Sequence, residues 1–430
     1  MARVVVVGAG MGGLAVAARL ARQRHQVTVC EQAEVVGGKL GEYVRYGYRF
    51  DTGPSLLTLP AVYRDLFRNT GRPLEDVLDV VPVEPAARYR FPDGTVLDVP
   101  NTGVYDVCAA LDNVLGGGAG QQWQKLIDRG SAIWDATRDS VLGSPLGGPS
   151  DLLRRLRRVQ DLRTVAPWRT LRGLGTQYLS DPRLRMLLDR YATYTGSDPR
   201  RAPAALATIP YVEQTFGSWY VRGGLRRLGD ALADRAQDCG AVLRTGADVR
   251  SVDVSGGRVC GVTLASGEQL PADVVVSNAD AAHLYTDLVS APAALRRLRQ
   301  ATPSLAGFVL LLGVRGRTPG LAHHTMFFPA DYDAEFDAIF GRSPRPVEDP
   351  AIYLAVAGDP LVAPVGCEAW FVLVNAPRQG PVDWTAPGVA AAYADRLLGL
   401  LAELGYDVRN RLRFREWRTP ADLECETRAP

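Results

Sequence analysis

Residues 3–31 read RVVVVGAGMGGLAVAARLARQRHQVTVCE, and the fold turns on them. Residues 4–7 are four consecutive β-branched valines, the composition of a strand buried on both faces of a parallel sheet. Gly8, Gly10 and Gly13 complete G-x-G-x-x-G, with Met11 and a further glycine, Gly12, inside it. The first glycine permits a tight turn, the second lets the backbone approach a pyrophosphate, and the third lets helix pack on strand. Leu14, Ala17, Ala18 and Ala21 then recur at helical spacing. The N-terminus of such a helix turns free N–H groups and a positive dipole end toward phosphates. Residues 27–30 read as a second strand, and Glu31 ends it 18 residues after Gly13. A carboxylate there suits a ribose hydroxyl pair and repels a 2′-phosphate, which argues against NADP. The glycine pattern alone is weak. Strand, helix, strand and acid in order point to a dinucleotide site rather than a chance turn.

A chain of 430 residues can bury a large core and is expected to form two or three domains. Its net charge of +2 gives no reason to expect nucleic acid. The six cysteines lie far apart with no C-x-x-C pair, so neither a metal site nor a disulfide framework is expected, and reduced thiols of a cytosolic protein are. No run approaches the roughly 18 apolar residues of a membrane span, and the N-terminal apolar run is a strand rather than a signal peptide. His323-His324 are neighbours that a strand would turn to opposite faces, a poor metal clamp.

Beyond the first unit, Gly37-Gly38 breaks the chain and Lys39 follows where a cation meets a phosphate. Residues 46–51 read as a short strand and 52–55 as a turn, alone a surface hairpin, but here a candidate wall of a ring pocket. Residues 77–99 alternate as in antiparallel sheet, and 104–207 are helical in character. Residues 151–178 carry seven arginines against two aspartates with Trp168, either a face that lies on an anionic membrane or a solvated helix covering a core. Gly223-Gly224 precede a helix with Leu225, Leu228 and Leu232 inward, and strands at 242–243, 249–254, 259–264 and 274–276 return to the nucleotide domain, which is therefore discontinuous. Residues 306–375 suggest a second sheet, 389–404 a helix and 412–417 a last strand.

Five blocks, VVVVGAGMGGLAVAARLA, GGKLGEY, YRFDTGPSLLTLP, SWYVRGGLRRLGDAL and ADVVVSNAD, resemble in order and spacing the flavin-dependent carotenoid desaturases of the phytoene desaturase type, through essentially the whole chain. The resemblance implies an α/β fold: a Rossmann-like FAD-binding domain of the glutathione-reductase and amine-oxidase type, with a discontinuous substrate domain of mixed sheet plus helices. The layout it implies is FAD-binding parts at 1–75 and 216–290, substrate-sheet parts at 76–103 and 291–418, a helical, membrane-associated subdomain at 104–215, and the start of a return to the FAD domain at 419–430. Gly8, Gly10, Met11, Gly12 and Gly13 would hold the pyrophosphate, and Glu31 with Gln32 the adenosine end. Gly38, Lys39 and Leu40 would lie along phosphates and flavin, and Gly53, Pro54 and Ser55 by the isoalloxazine. Val249 would meet adenine through its backbone, and Asn278 with Ala279 would stand where the returning strand reaches the cofactor.

The implied chemistry is desaturation of a lipophilic polyene: a hydride leaves an allylic carbon for flavin N5 and a proton leaves its neighbour. No catalytic acid or base stands out. Such a substrate favours a protein of the cytoplasm, peripheral to the inner face of the membrane. The family's chains continue past WRTPADLECETRAP into a glycine-rich block and a helix at the flavin ring, which this sequence lacks. The alternatives are another oxidase of this architecture, acting on amines or protoporphyrinogen, or a redox-silent lipid-binding protein of the same fold. An NAD-dependent dehydrogenase fits the late return to the nucleotide domain less well.

Overall fold

The computed structural model describes residues 1–139, 143–144 and 159–429. Its strands are β1 (Arg3–Val7), β2 (Gln26–Cys30), β3 (Glu42–Arg45), β4 (Tyr48–Asp51), β5 (Val80–Pro82), β6 (Ala87–Arg90), β7 (Val96–Val99), β8 (Trp219–Val221) and β9 (Val242–Arg244). There follow β10 (Val249–Ser255), β11 (Arg258–Leu264), β12 (Gln269–Pro271), β13 (Val274–Ser277), β14 (Ala306–Arg315), β15 (His324–Phe327), β16 (Ile352–Ala355), β17 (Cys367–Ala376) and β18 (Leu412–Arg418).

One sheet has the order β13-β1-β2-β9, all parallel. β1 lies inside it, and Val4 to Val7 are buried as their unbroken β-branched run requires. One face takes the helix Met11–Arg22, whose Leu14, Ala17, Ala18 and Ala21 share a core with Leu228 and Leu232 of the helix Arg226–Asp238. The other face is covered by the antiparallel sheet β10-β11-β12, with Val249, Val262 and Leu264 against Val5 and Val7.

The larger sheet runs β18-β14-β17-β16-β15-β6-β7, antiparallel except where β6 runs parallel to β15. Both of its faces are buried. Phe308, Leu310 and Leu312 of β14 meet the helix Val389–Glu403, while Val309 and Leu311, a strand period away, meet the hairpin β3–β4. A helical core around Trp123, Leu111, Leu187 and Leu188 closes over β6 and β7.

Three expectations change. The strand expected from residue 46 begins at Tyr48, because Tyr46 (φ 51°) and Gly47 (φ 81°) form a turn that sends β3 back along β4. That hairpin is no surface feature: Tyr48 and Phe50 are buried against Phe414 of β18. Residues 77–99 are only partly an antiparallel unit of their own, since β6 pairs with β7, β5 pairs with the distant β8, and β6 also lies parallel to β15. Residues 151–158 of the basic stretch lie outside the described residues, as do the side chains of 159–161. Among the described residues no helix is long and apolar enough to cross a membrane, and no group of His, Cys, Asp and Glu could hold a metal.

Candidate active site

The turn after β1 is shaped by what its glycines leave out. Gly8 has φ +92°, and its N–H donates to Cys30 O at 2.8 Å, tying the turn to the end of β2. A Cβ on Gly13 would stand 2.0 Å from Gly8 O, so only glycine lets the helix start this close to the strand. The helix is capped by Gly10 with no side-chain bond and no acid in its first turn, which leaves its leading N–H groups to an anion. A second loop then arrives: Gly37 N–H donates to Ala9 O at 2.8 Å, and a Cβ on Gly38 would come within 3.0 Å of Gly10 Cα. Asn278 N–H donates to Val7 O at 2.8 Å, and its amide lies over Gly10 and Gly12, where added Cβ atoms would meet it at 2.8 and 2.5 Å. Gly8, Gly10, Met11, Gly12, Gly13, Gly38 and Asn278 are thus brought together at one tip, with Ala279 next in the chain. A backbone cradle of this kind fits a dinucleotide pyrophosphate.

Glu31 is buried and accepts from Ala9 N–H at 2.7 Å and Ala33 N–H at 3.0 Å. It therefore pins both sides of the cradle, with lone pairs left for hydroxyl donors. Val249 stands near it: Ala247 N–H donates to Glu31 O at 2.8 Å, and Val249 shares a core cluster with Cys30. Gln32 points elsewhere, its amide donating to Glu426 O at 2.9 Å.

The cradle continues toward the larger sheet. A Cβ on Gly53 would meet Lys39 O at 1.9 Å, so the loop at Gly53 is stacked directly on the loop of Lys39 and the buried Leu40. Lys39 is exposed and has no acid partner among the described residues, and Pro54 is exposed. Just before Gly53, Asp51 accepts from Leu225 and Arg226 N–H at 2.7 and 2.9 Å, capping the helix Arg226–Asp238, while Arg226 Nη1 donates to Val36 O at 2.6 Å. Burial pushes the Asp51 carboxyl up to about 6 against the pull of those two donors.

Here a cleft opens, lined by Asp51, Ser55, Tyr220, Gly223, Gly224, His323 and the sheet residues Ala355 and Phe371. Asp359 holds its rim, accepting from Tyr220 Oη at 3.0 Å and Gly223 N–H at 2.6 Å. Ser55 does not face the cradle alone: its Oγ is 2.7 Å from Tyr353 Oη, which is 2.7 Å from His324 Nδ1. The histidine pair also departs from expectation. β15 begins only at His324, so the rings of His323 and His324 lie together, 4.4 Å apart, and His323 packs on Tyr220. Burial depresses both, His323 to about 4, which keeps them neutral. Asp359, Tyr353 and the two histidines carried no local motif, whereas Asp51 and Tyr220 lie inside the blocks YRFDTGPSLLTLP and SWYVRGGLRRLGDAL without standing out there.

Against known proteins, the family described as flavin containing amine oxidoreductase matches residues 11–323. A 4,4'-diapolycopene oxygenase of Methylomonas sp is 35% identical over 428 residues, 99% of this chain and 86% of the relative. A zeta-carotene-forming phytoene desaturase of Myxococcus xanthus is 34% identical over 415 residues, covering 94% of this chain and 78% of the relative. Among solved structures, an oxidoreductase from Methanosarcina mazei superposes with a TM-score of 0.65 at 17% identity, over 96% of this chain and 87% of that one, a likeness of fold. The chain belongs to the flavin-containing amine oxidoreductases, among the FAD-dependent enzymes of carotenoid desaturation and oxygenation.

Proposed function

We propose that this enzyme desaturates a phytoene-type polyene while docked on the inner face of the membrane. Bound FAD would supply a two-electron acceptor for the hydride of an allylic C–H bond, with a proton leaving the neighbouring carbon. What supports the reading is one continuous path: the glycine tip and Glu31, then Lys39 stacked under Gly53, then a cleft walled by the larger sheet. On this reading Gly8, Gly10, Gly12, Gly13 and Gly38 hold the pyrophosphate, Glu31 the ribose and Val249 the adenine. Lys39 lies along the phosphates, and Gly53, Pro54 and Ser55 flank the ring. The apolar cleft wall of Ala355, Ala369 and Phe371 orients the chain and excludes water. The basic, Trp-bearing stretch around Trp168, which is exposed, faces the anionic lipid from which the substrate comes.

The test is anaerobic mixing of the FAD-loaded protein with phytoene in anionic liposomes, and separately with a primary amine, followed by flavin absorbance at about 450 nm. Bleaching by phytoene with formation of longer conjugated products is expected. Bleaching by the amine and not by phytoene would replace this reading with an amine oxidase.

A further inference from the structure

Beside the cleft, behind Ser55, lies a polar cluster that the reading above does not use. Arg190, on the helix Pro182–Thr193, sits against the rings of Tyr194 and Tyr353, 5.2 and 5.5 Å from their centroids. A guanidinium carries five N–H donors. None of those of Arg190 has an acceptor among the described residues, and its Nε is fully enclosed. The nearby acid does not satisfy it: Glu213 accepts instead from Tyr191 Oη at 2.8 Å and Tyr194 Oη at 3.2 Å. Two more polar atoms stand open in the same cluster. His324 and Tyr332 are 3% and 5% exposed, and His324 Nε2 and Tyr332 Oη have no partner. Buried polar groups are ordinarily bonded; of the eight unmet side-chain atoms among the described residues, these three stand on three separate elements within reach of the Arg190 charge. Arg190 is close enough for its charge to lower His324 further and to oppose the burial that raises Tyr332.

We infer that Arg190, with Tyr332 and His324, forms a recognition subsite for an oxygen-bearing end of the polyene, a neutral acceptor such as an aldehyde carbonyl. The guanidinium and the Tyr332 hydroxyl donate, as does His324 Nε2 when Nδ1 accepts from Tyr353; donors without acceptors call for oxygen lone pairs, which a hydrocarbon end lacks. Glu213 selects against a carboxylate, since a second anion beside this one would be repelled. Arg190 is a specificity-determining residue on this account, and the inference rests on the cleft taking a polyene.

The experiment compares two acyclic polyenes of equal length, one ending in methyl and one in an aldehyde, offered in liposomes to the FAD-loaded protein. Binding is read from the polyene absorption band, and flavin absorbance is followed in parallel. The wild type should bind the aldehyde about tenfold more tightly or better, with a red-shifted band. Arg190→Met should abolish the preference while leaving affinity for the hydrocarbon within about twofold. Tyr332→Phe should weaken the preference without lowering Tm, because it removes a hydroxyl that bonds nothing. Equal binding of both polyenes by the wild type, an unchanged preference in both variants, or an altered flavin spectrum with intact preference in Arg190→Met would overturn the inference. If neither polyene binds, the desaturase reading falls with it. If the hydrocarbon binds and bleaches the flavin while the aldehyde gains nothing, the subsite alone is wrong.

Discussion

Gly13 and Gly399 are both helical glycines, and the space around each gives opposite expectations. A methyl on Gly13 would run into Gly8 O at 2.0 Å, a backbone atom that cannot step aside. Gly13→Ala should therefore cost at least about 1–3 kcal/mol and weaken FAD binding, read by thermal unfolding and flavin titration. Gly399, inside the helix Val389–Glu403, has nothing within 4 Å of an added Cβ. Gly399→Ala should raise stability by about 0.5–1 kcal/mol. His323 sets a pH dependence of its own. Its neutral form is favoured in the fold, where burial lowers it to about 4 from the ordinary 6.5, and Asp359 opposes that only in part. The associated stability is complete above pH 6.5 and is lost as pH falls toward 4, amounting to about 3 kcal/mol over that window. Urea unfolding of the wild type and of His323→Phe at pH 7 and pH 4.5 should show the variant losing less than the wild type, its remaining loss being that of His324. Parallel slopes would remove His323 as the cause.

At the scale of single elements, the helix Arg226–Asp238 has no cap in its own segment; it borrows Asp51, 174 residues earlier. Asp51→Ala should cost about 1–2 kcal/mol and loosen the Gly223-Gly224 turn, checked by hydrogen exchange at Leu225 and Arg226 N–H. This borrowing marks the line between what was readable and what was not. The first strand, helix and second strand declare themselves because four valines, a glycine pattern and a 3.6-residue period are local properties. That Gly38 and Asn278 belong with the first glycines was reached through resemblance, and packing explains it: both loops close on Gly10, where only glycines allow it. The polar cluster behind Ser55 left no such trace. Tyr353, His324, Arg190 and Glu213 sit in apolar surroundings on separate segments, where each reads as an ordinary core or surface residue. The burial of the hairpin β3–β4 escaped the local pattern for a related reason, since Tyr48 and Phe50 belong inside only once β14 and β18 lie over them.

For the molecule as a whole, FAD bound to the folded chain alone should stabilise it by mass action, about 2.7 kcal/mol at a hundredfold excess over Kd. Differential scanning calorimetry with and without FAD measures this, and no upward shift in Tm would contradict the cradle. The same traces should show one transition, because the hairpin β3–β4 ties the two sheets into shared packing: its residues press on β14, β17 and β18 while its exit runs straight to Asp51 and Gly53. That hairpin acts as a brace rather than a hinge. On the proposed reading, with the wall and the nucleotide anchor braced against each other, a polyene would enter end-on, like cord through an eyelet, rather than be gripped by a closing jaw. Turnover should consequently fall steeply as the leading tip of the polyene is made bulkier, while equal bulk on the trailing tip should matter little.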